Sequence, residues 1–237
     1  MALVTAPLAS LSPITPRSRL LTIDLRGHAL DFVAGQAVMV GTHEQRDRRP
    51  YSIACSPERV ADTGALELLI ALEDSGGLGD YLAPATPGTL LDVEGPMGAF
   101  TFPEPPTSDW VLFVAGGTGI APLRAMIDHV LRHHPDQQMA LLYSARRSDE
   151  FAFIDELRGY AQRGQMELHQ TVTRDQSASW GGARGRIGRS HFETVLHDAA
   201  RTVCFVCGPA PLVSESMTTL RALGVPEDQI RTEQWGK

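Results

Sequence analysis

The hydrophobic pattern changes character near the end of the first hundred residues. Before that point, short runs of apolar and β-branched residues recur between turn residues, as is typical of strands. The predicted strands are 19–25, 37–41, 51–54, 66–72, 89–94 and 98–102. Several short strands at this spacing predict an all-β barrel or sandwich.

The second half of the chain alternates strands with amphipathic helices. The predicted strands are 110–115, 139–144, 166–173, 203–207 and 230–232. Apolar residues at helical spacing fall between them, namely Leu123, Met126, Ile127, Val130 and Leu131, and then Leu212, Val213, Met217 and Leu220 with Ser216 as a polar exception. The alternation predicts a parallel sheet covered by helices. A proline-rich stretch, 103–109, would join a domain at 1–103 to one at 109–237.

Composition and charge exclude several classes of protein. The net charge of -7 argues against general nucleic-acid or membrane-surface binding. The N-terminus has no basic residue before its apolar part and is interrupted by prolines, so we do not predict a signal peptide. The longest uncharged apolar run, 110–123, is too short to cross a bilayer. We therefore predict a cytoplasmic protein without a membrane span.

The cysteines and histidines predict no metal centre. Three cysteines are too few for an all-cysteine 2Fe–2S cluster and suggest a reducing compartment. Cys204 and Cys207 lie three apart on a predicted strand, so their side chains would point to opposite faces. His129 and His133 have helical i, i+4 spacing but no apparent third ligand, and we interpret them as a solvated helix end.

A glycine-rich turn, Gly116-Gly117-Thr118-Gly119, lies between a predicted strand and helix. A doubly wound sheet binds its ligand at such a junction. The turn is no Walker A loop, and Pro122 stands where G-x-G-x-x-G has its third glycine. The N–H groups of Thr118, Gly119 and Ile120 would face a pyrophosphate, although a purely structural turn is the alternative.

Four motifs occur in a characteristic order along the chain. They are RPYS at 49–52, GPMG at 95–98, GGTGIAP at 116–122 and CGP at 207–209. In this order they resemble the ferredoxin–NADP reductase family of flavoenzymes over nearly the whole chain. The resemblance implies a flavin-binding antiparallel β-barrel followed by an α/β domain that binds a nicotinamide dinucleotide. It also implies hydride transfer from NAD(P)H to N5 of a bound flavin, with FAD favoured over FMN.

The resemblance assigns roles to residues of the first domain. Arg49 would bind the flavin diphosphate, Tyr51 would lie against the isoalloxazine ring, and Ser52 would hydrogen-bond near N5. The further predicted flavin contacts are Pro50, Ile70, Gly77, Leu78 and Gly79. Members of the family often have serine at the position of Gly79, and Ile70 could equally be an ordinary core residue.

The resemblance also assigns roles in the second domain. Gly117, Thr118 and Gly119 would hold the dinucleotide diphosphate. Cys207, followed by Gly208 and Pro209, would lie beside the nicotinamide as a packing group, not a nucleophile. Trp235 resembles the terminal aromatic residue that covers the flavin, although two residues follow it. The residues predicted at the reacting rings are thus Ser52, Cys207 and Trp235.

Residues that follow two of the predicted strands would select between NADPH and NADH. Ser144, Arg146 and Arg147 follow one strand, and Thr173 with Arg174 follow the next, near where the family binds the 2′-phosphate. These residues favour NADPH over NADH. In the alternative interpretation, the arginines pair with surface carboxylates, namely Asp149, Glu150 or Asp175.

Three kinds of electron acceptor are compatible with the sequence. We expect a separate carrier such as a ferredoxin, a flavodoxin or an oxygenase component, since no iron–sulfur domain is apparent. The run Arg46-Asp47-Arg48-Arg49 would give an acidic carrier a docking patch. A free-flavin or ferric reductase and an electron-transfer subunit of a larger complex are the alternatives.

Overall fold

The computed structural model describes residues 2–43, 47–72 and 85–235. Within these ranges, every helix is too short or too polar to cross a membrane. Contacts between residues divide the chain into two compact units. The first comprises Met1–Phe102 with Arg124–His129, and the second comprises Pro103–Leu123 with Val130–Lys237.

The first unit is built on a six-stranded antiparallel sheet in the order β4-β3-β6-β1-β2-β5. Its strands are β1 (Ala2–Thr15), β2 (Ser18–Asp24), β3 (Ala37–Thr42), β4 (Arg49–Ser52), β5 (Ala65–Ala71) and β6 (Leu90–Met97), with a short helix α1 (Pro57–Thr63) before β5. Just beyond β4, Ile53 forms a bridge with Leu68 of β5, and the N–H of Ala54 donates to the carbonyl of Glu67 at 2.8 Å. The two edges of the sheet therefore meet, which makes the unit barrel-like, as predicted.

The first unit differs from the predicted strands in two places. Strand β1 covers a proline-containing stretch where no strand was predicted, yet its alternate residues Val4, Ala6 and Leu8 are buried as in a half-buried strand. The predicted strand at 98–102 is wrong. Gly98 adopts φ +95°, which takes the backbone out of the extended conformation, and a turn hydrogen bond follows it.

The second unit is built on a six-stranded parallel sheet in the order β10-β9-β8-β7-β11-β12. Its strands are β7 (Trp110–Gly116), β8 (Gln138–Ala145), β9 (Glu167–Val172), β10 (Ala183–Arg184), β11 (Thr202–Pro209) and β12 (Ile230–Trp235). Its helices are α2 (Ile120–His133), of which Arg124–His129 is grouped with the first unit, α3 (Ile154–Gln162), α4 (Arg189–Val195) and α5 (Ala210–Ala222). The predicted alternation of strands and helices is confirmed, and β10 is a short addition.

The strand order locates the crevice where such sheets bind ligands. From β7 the chain moves outward through β8 and β9 to β10, and then β11 returns to the other side of β7. Strands β7 and β11 therefore flank the topological switch point, where ligands of open α/β sheets lie beyond the carboxyl ends of the strands. The glycine turn leaves β7 at this point.

Candidate active site

The glycine turn is a single turn of 3-10 helix, Gly117–Gly119, between β7 and α2. Gly117 adopts φ +55°, which an L side chain would disfavour, and a Cβ added there would meet nothing within 4 Å. The space beside Gly117 is therefore open to a ligand.

Gly119 has a different reason to be glycine. A Cβ added to it would lie 2.2 Å from the carbonyl oxygen of Cys207 and 2.9 Å from the backbone nitrogen of Gly208. The turn thus passes in direct contact with the end of β11, and only glycine allows that approach. The motifs GGTGIAP and CGP, far apart in sequence, are neighbours in the structure.

One predicted pyrophosphate donor is wrong. The N–H of Ile120 donates within the turn, to the carbonyls of Gly117 and Thr118. This hydrogen bonding closes the 3-10 turn and leaves the Ile120 amide committed to the protein. The amides of Thr118 and Gly119 stay predicted donors.

A buried tyrosine that the motifs did not indicate anchors the turn. The hydroxyl of Tyr143 donates to the carbonyl of Gly117 at 3.1 Å and accepts from the N–H of Ala152 at 3.1 Å. Burial raises the pKa of this phenol well above its usual range, so it stays protonated and can donate. The signal in the sequence is a tyrosine inside an apolar strand, since a buried hydroxyl needs partners.

Cys207 is fully buried on β11, opposite Ala115 of β7 and Glu233 of β12. Its Sγ lies 3.9 Å from Oε2 of Glu233. Burial, reinforced by the negative charge of Glu233, raises the pKa of the thiol well above its usual range. A protonated, enclosed thiol is poorly suited to act as a nucleophile, and the role of Cys207 as a packing group beside the nicotinamide stays a prediction.

The end of β12 brings another predicted residue to this edge of the sheet. Trp235 is the last residue of β12 and lies in register with Pro209 of β11. Gly208, one residue earlier, is in register with Gln234. The backbones of the CGP motif and of Trp235 are therefore adjacent.

The predicted 2′-phosphate residues come together at the ends of β8 and β9. Ser144 is in register with Thr171, and the N–H of Arg174 donates to the carbonyl of Arg146 at 2.8 Å. Thr173, Arg174 and Arg146 are exposed, whereas only 6% of Ser144 is accessible to solvent. Two exposed guanidinium groups thus extend from neighbouring loops.

The aspartates near Arg146 and Arg174 have other partners. Arg147 forms an ion pair with Asp149 at 3.3 Å, so the alternative interpretation holds for that arginine. Asp175 instead accepts hydrogen bonds from Ser148 and Ser177, which hold its pKa well below the usual range. In the part of the chain that the structure describes, neither Arg146 nor Arg174 forms an ion pair.

In the barrel-like unit, the RPYS motif forms β4, paired along β3. Arg49 and Pro50 are exposed, Tyr51 is half-buried against the core, and Ser52 is buried. Ile70 of β5 is 2% exposed and belongs to the core cluster. Gly77, Leu78, Gly79 and Arg46 lie outside the described residues.

Arg48, which the sequence placed in the predicted docking run, forms ion pairs with two carboxylates of its own unit. Its guanidinium donates to Oδ2 of Asp92 at 2.9 Å and to Oε2 of Glu94 at 2.8 Å. Burial alone would raise the pKa of Asp92, but hydrogen bonds from Thr5 and Arg48 outweigh it and lower that pKa to about 2. This network holds the chain immediately before Arg49.

These surroundings fit two nucleotide cofactors. The first unit presents an exposed arginine and a half-buried aromatic ring two residues apart on one strand. The second presents open space beside a glycine turn at its switch point, with two exposed arginines on the loops after neighbouring strands. The fold and these features together define a flavin- and nicotinamide-dependent oxidoreductase.

Comparison with known proteins places the chain in one family. The family model of oxidoreductase FAD-binding domains matches residues 5–102, and that of oxidoreductase NAD-binding domains matches 113–217. Ferredoxin–NADP reductase B of Sorangium cellulosum is 30% identical over 241 residues, covering 97% of this chain and 96% of that protein. The chain belongs to the ferredoxin–NADP reductase-like family of flavoprotein oxidoreductases. It is an FAD-dependent NAD(P)H reductase.

One further relative and one solved structure are also similar to this chain. The electron transfer component of anthranilate 1,2-dioxygenase from Acinetobacter baylyi is 25% identical, and the match covers 94% of this chain but 64% of that protein. The structure of a ferredoxin NADP+ reductase from Neisseria gonorrhoeae with bound FAD and NADP has a TM-score of 0.83 at 20% identity. That similarity covers 99% of each chain and supports the fold.

Proposed function

We propose that the protein uses NADPH in preference to NADH and passes the electrons to a separate carrier such as a ferredoxin, a flavodoxin or an oxygenase component. The proposal includes the predicted domains, 1–103 for the flavin and 109–237 for the dinucleotide, and the predicted cytoplasmic location. When bound, the flavin and the nicotinamide supply the hydride and electron chemistry, while the protein supplies binding and orientation.

The barrel-like unit would hold the flavin through three kinds of contact. Arg49 is exposed and suited to bind the diphosphate with its planar guanidinium. Tyr51, half-buried on the same strand, would offer a ring face to the isoalloxazine, and Ser52 would offer a hydroxyl near N5. Pro50, Ile70, Gly77, Leu78 and Gly79 complete the proposed flavin contacts.

The α/β unit would hold the dinucleotide mainly through its backbone. The open space at Gly117 would admit the pyrophosphate, with the amides of Thr118 and Gly119 as donors. Cys207, with Gly208 and Pro209, would position the nicotinamide as a neutral packing group, and Trp235 keeps its predicted role at the flavin ring.

The observation that carries the NADPH preference is the pair Arg146 and Arg174. Their backbones are hydrogen-bonded at 2.8 Å, and both side chains are exposed. Asp175, the carboxylate nearest in sequence, has its hydrogen bonds satisfied by Ser148 and Ser177. Two cations without an ion-pair partner among the described residues are suited to a phosphate, which NADPH carries and NADH lacks. Ser144 and Thr173 would add hydroxyl groups to the same site.

An anaerobic titration of the FAD-loaded protein tests this proposal. We expect NADPH to bleach the flavin absorbance at a much lower concentration than NADH. Replacing Arg146 or Arg174 by alanine should weaken the binding of NADPH by about tenfold, because the contact with the 2′-phosphate is lost. The binding of NADH, which lacks that phosphate, should change little. Arg147→Ala is the matched control, because that exposed arginine is already paired with Asp149. Equal use of both nucleotides by the unmodified protein would contradict the proposed preference.

A free-flavin or ferric reductase is the second candidate, favoured by one observation. Arg48, part of the predicted docking run, is committed to Asp92 and Glu94 and so offers little charge to an acidic partner. The two candidates differ in the acceptor. A carrier protein should be reduced faster than added FMN at low salt if docking occurs, whereas a free-flavin reductase would reduce FMN as fast with or without the carrier.

A further inference from the structure

We infer that Asp175 is a positioning residue that sets the preference for a 2′-phosphorylated nucleotide, because it clamps the loop of Arg146 to the loop of Arg174. The inference rests on the proposed NADPH site, and it identifies Asp175 as the residue that orders the two loops carrying Arg146 and Arg174. Asp175 itself need not touch the nucleotide.

The clamp joins the loops that follow two neighbouring strands. Asp175, which is 3% exposed, follows β9, and its Oδ2 accepts from the N–H of Ser148 at 2.9 Å and from its Oγ at 2.5 Å. Ser148 lies two residues beyond Arg146, and Asp175 directly follows Arg174. The clamp and the backbone hydrogen bond between the two arginines both join these loops.

The chemistry of the clamp leaves the arginines charged and unneutralised. Asp175 is satisfied by neutral donors, namely the amide and hydroxyl of Ser148 and the amide of Ser177 at 2.8 Å. A carboxylate that paired with Arg146 or Arg174 would compete with a phosphate for the same guanidinium. Here the carboxylate fixes the loops without taking either cation.

The Asp175 side of the clamp is itself held firmly. Arg184 donates to the carbonyl of Asp175 at 3.3 Å, to that of Ser177 at 2.8 Å and to that of Trp180 at 3.0 Å. The indole of Trp180 stacks on the ring of Phe151, with centroids 5.6 Å apart. Phe151 belongs to the same loop as Arg146, so this stack still joins the two loops when the clamp is broken. Breaking the clamp should therefore loosen only the stretch from Arg146 to Ser148 and leave the 175–184 loop in place.

Calorimetric binding of 2′,5′-ADP and 5′-AMP to the FAD-loaded protein tests the inference without turnover. Ser148→Ala removes one of the clamp's donors, and we expect 2′,5′-ADP to bind about tenfold more weakly while 5′-AMP stays within about twofold. Ser148→Thr keeps the hydroxyl and should restore most of the affinity. Asp175→Ala should act in the same direction and more strongly. Asp198→Ala is the matched control, since Asp198 also caps a backbone amide, that of Ala200 at 3.1 Å, in another turn.

The outcomes separate the clamp from the phosphate site. If Ser148→Ala and Asp175→Ala bind 2′,5′-ADP normally while Arg146→Ala or Arg174→Ala does not, the clamp is wrong and the phosphate site stands. If Ser148→Ala weakens both ligands equally, Asp175 has a general structural role and the inference is overturned. If the arginine variants also bind 2′,5′-ADP normally, the phosphate site and the clamp are both wrong.

Discussion

The two units build their candidate sites from different parts of the residue. In the barrel-like unit the candidates are side chains that project from β4, namely Arg49, Tyr51 and Ser52. In the α/β unit the centre of the site is bare backbone, where Gly119 lies against the carbonyl of Cys207 and open space adjoins Gly117. The barrel-like unit presents side-chain functional groups, whereas the α/β unit presents backbone that carries no side chain.

This difference sets how each site should respond to substitution. A side-chain contact can be trimmed one group at a time, so its loss is graded. A backbone contact has no side-chain group that can be removed. Substituting the glycine instead adds a Cβ atom at a position that has no room for it. We therefore expect graded defects in the barrel-like unit and severe ones at the glycine turn.

The largest effect is expected for Gly119→Ala. The added Cβ would lie 2.2 Å from the carbonyl oxygen of Cys207, a backbone atom that cannot rotate away. The turn must shift, and we expect 5′-AMP binding to weaken on the order of 100-fold, with a lower melting temperature. Gly181→Ala is the control, since a Cβ there meets nothing within 4 Å. Normal nucleotide binding by Gly119→Ala would show that the turn adapts and that the contrast between the units is false.

A smaller, graded effect is expected for Arg49→Ala. Loss of a charge-assisted hydrogen bond to a phosphate should raise the dissociation constant of FAD by about 10-fold to 100-fold, measured by fluorescence on the apoprotein. Arg49→Lys should recover part of this affinity, because it keeps the charge but not the planar fork. Arg26→Ala is the control, since Arg26 forms an exposed ion pair with Asp24 in the same unit. Unchanged FAD affinity in Arg49→Ala would remove the arginine from the flavin site.

The smallest effect is expected for Asp92→Asn, and it concerns stability. The folded-state pKa of Asp92 is lowered to about 2 from 3.8, so its carboxylate stabilises the native state above about pH 4. That contribution is lost as the pH falls from about 4 through about 2. We expect Asp92→Asn to lower the free energy of unfolding at pH 7 on the order of 1–2 kcal/mol.

Urea unfolding at several pH values measures this difference. The gap between the Asp92→Asn variant and the unmodified protein should narrow as the pH is lowered from 4 to 2, because the native carboxylate then becomes protonated. Asp31→Asn replaces an exposed aspartate of the same unit and should change little at any pH. A gap that does not depend on pH would mean that Asp92 acts through packing and not through its charge.

Much of the fold could be predicted because hydrophobic periodicity and turn residues are local. The failures are also local and physical. Strand β1 was missed because Pro7 and Pro13 interrupt its pattern, although prolines are tolerated beside bulges such as the register shift at Pro13. The strand at 98–102 was predicted because its residues are apolar, but Gly98 turns the chain.

The candidate site shows a different limit. Motif residues could be assigned from the sequence, but contacts between loops could not, since they depend on which strands are neighbours in the sheet. The hydrogen bonds of Tyr143 to Gly117, and of Asp175 to Ser148, join stretches that follow different strands. Nothing in the local pattern of either stretch indicates the other.

The buried cysteines give each unit its own reporter of opening. Cys55 lies in the barrel-like unit, and Cys204 and Cys207 lie in the α/β unit, all three free and fully buried. Burial raises the pKa of Cys55 and Cys204 to about 12, so the reactive thiolate is scarce while the protein is folded. The rate at which a thiol reagent labels each cysteine therefore counts how often its surroundings open, and one mass spectrum over time would compare the two units within the same molecule.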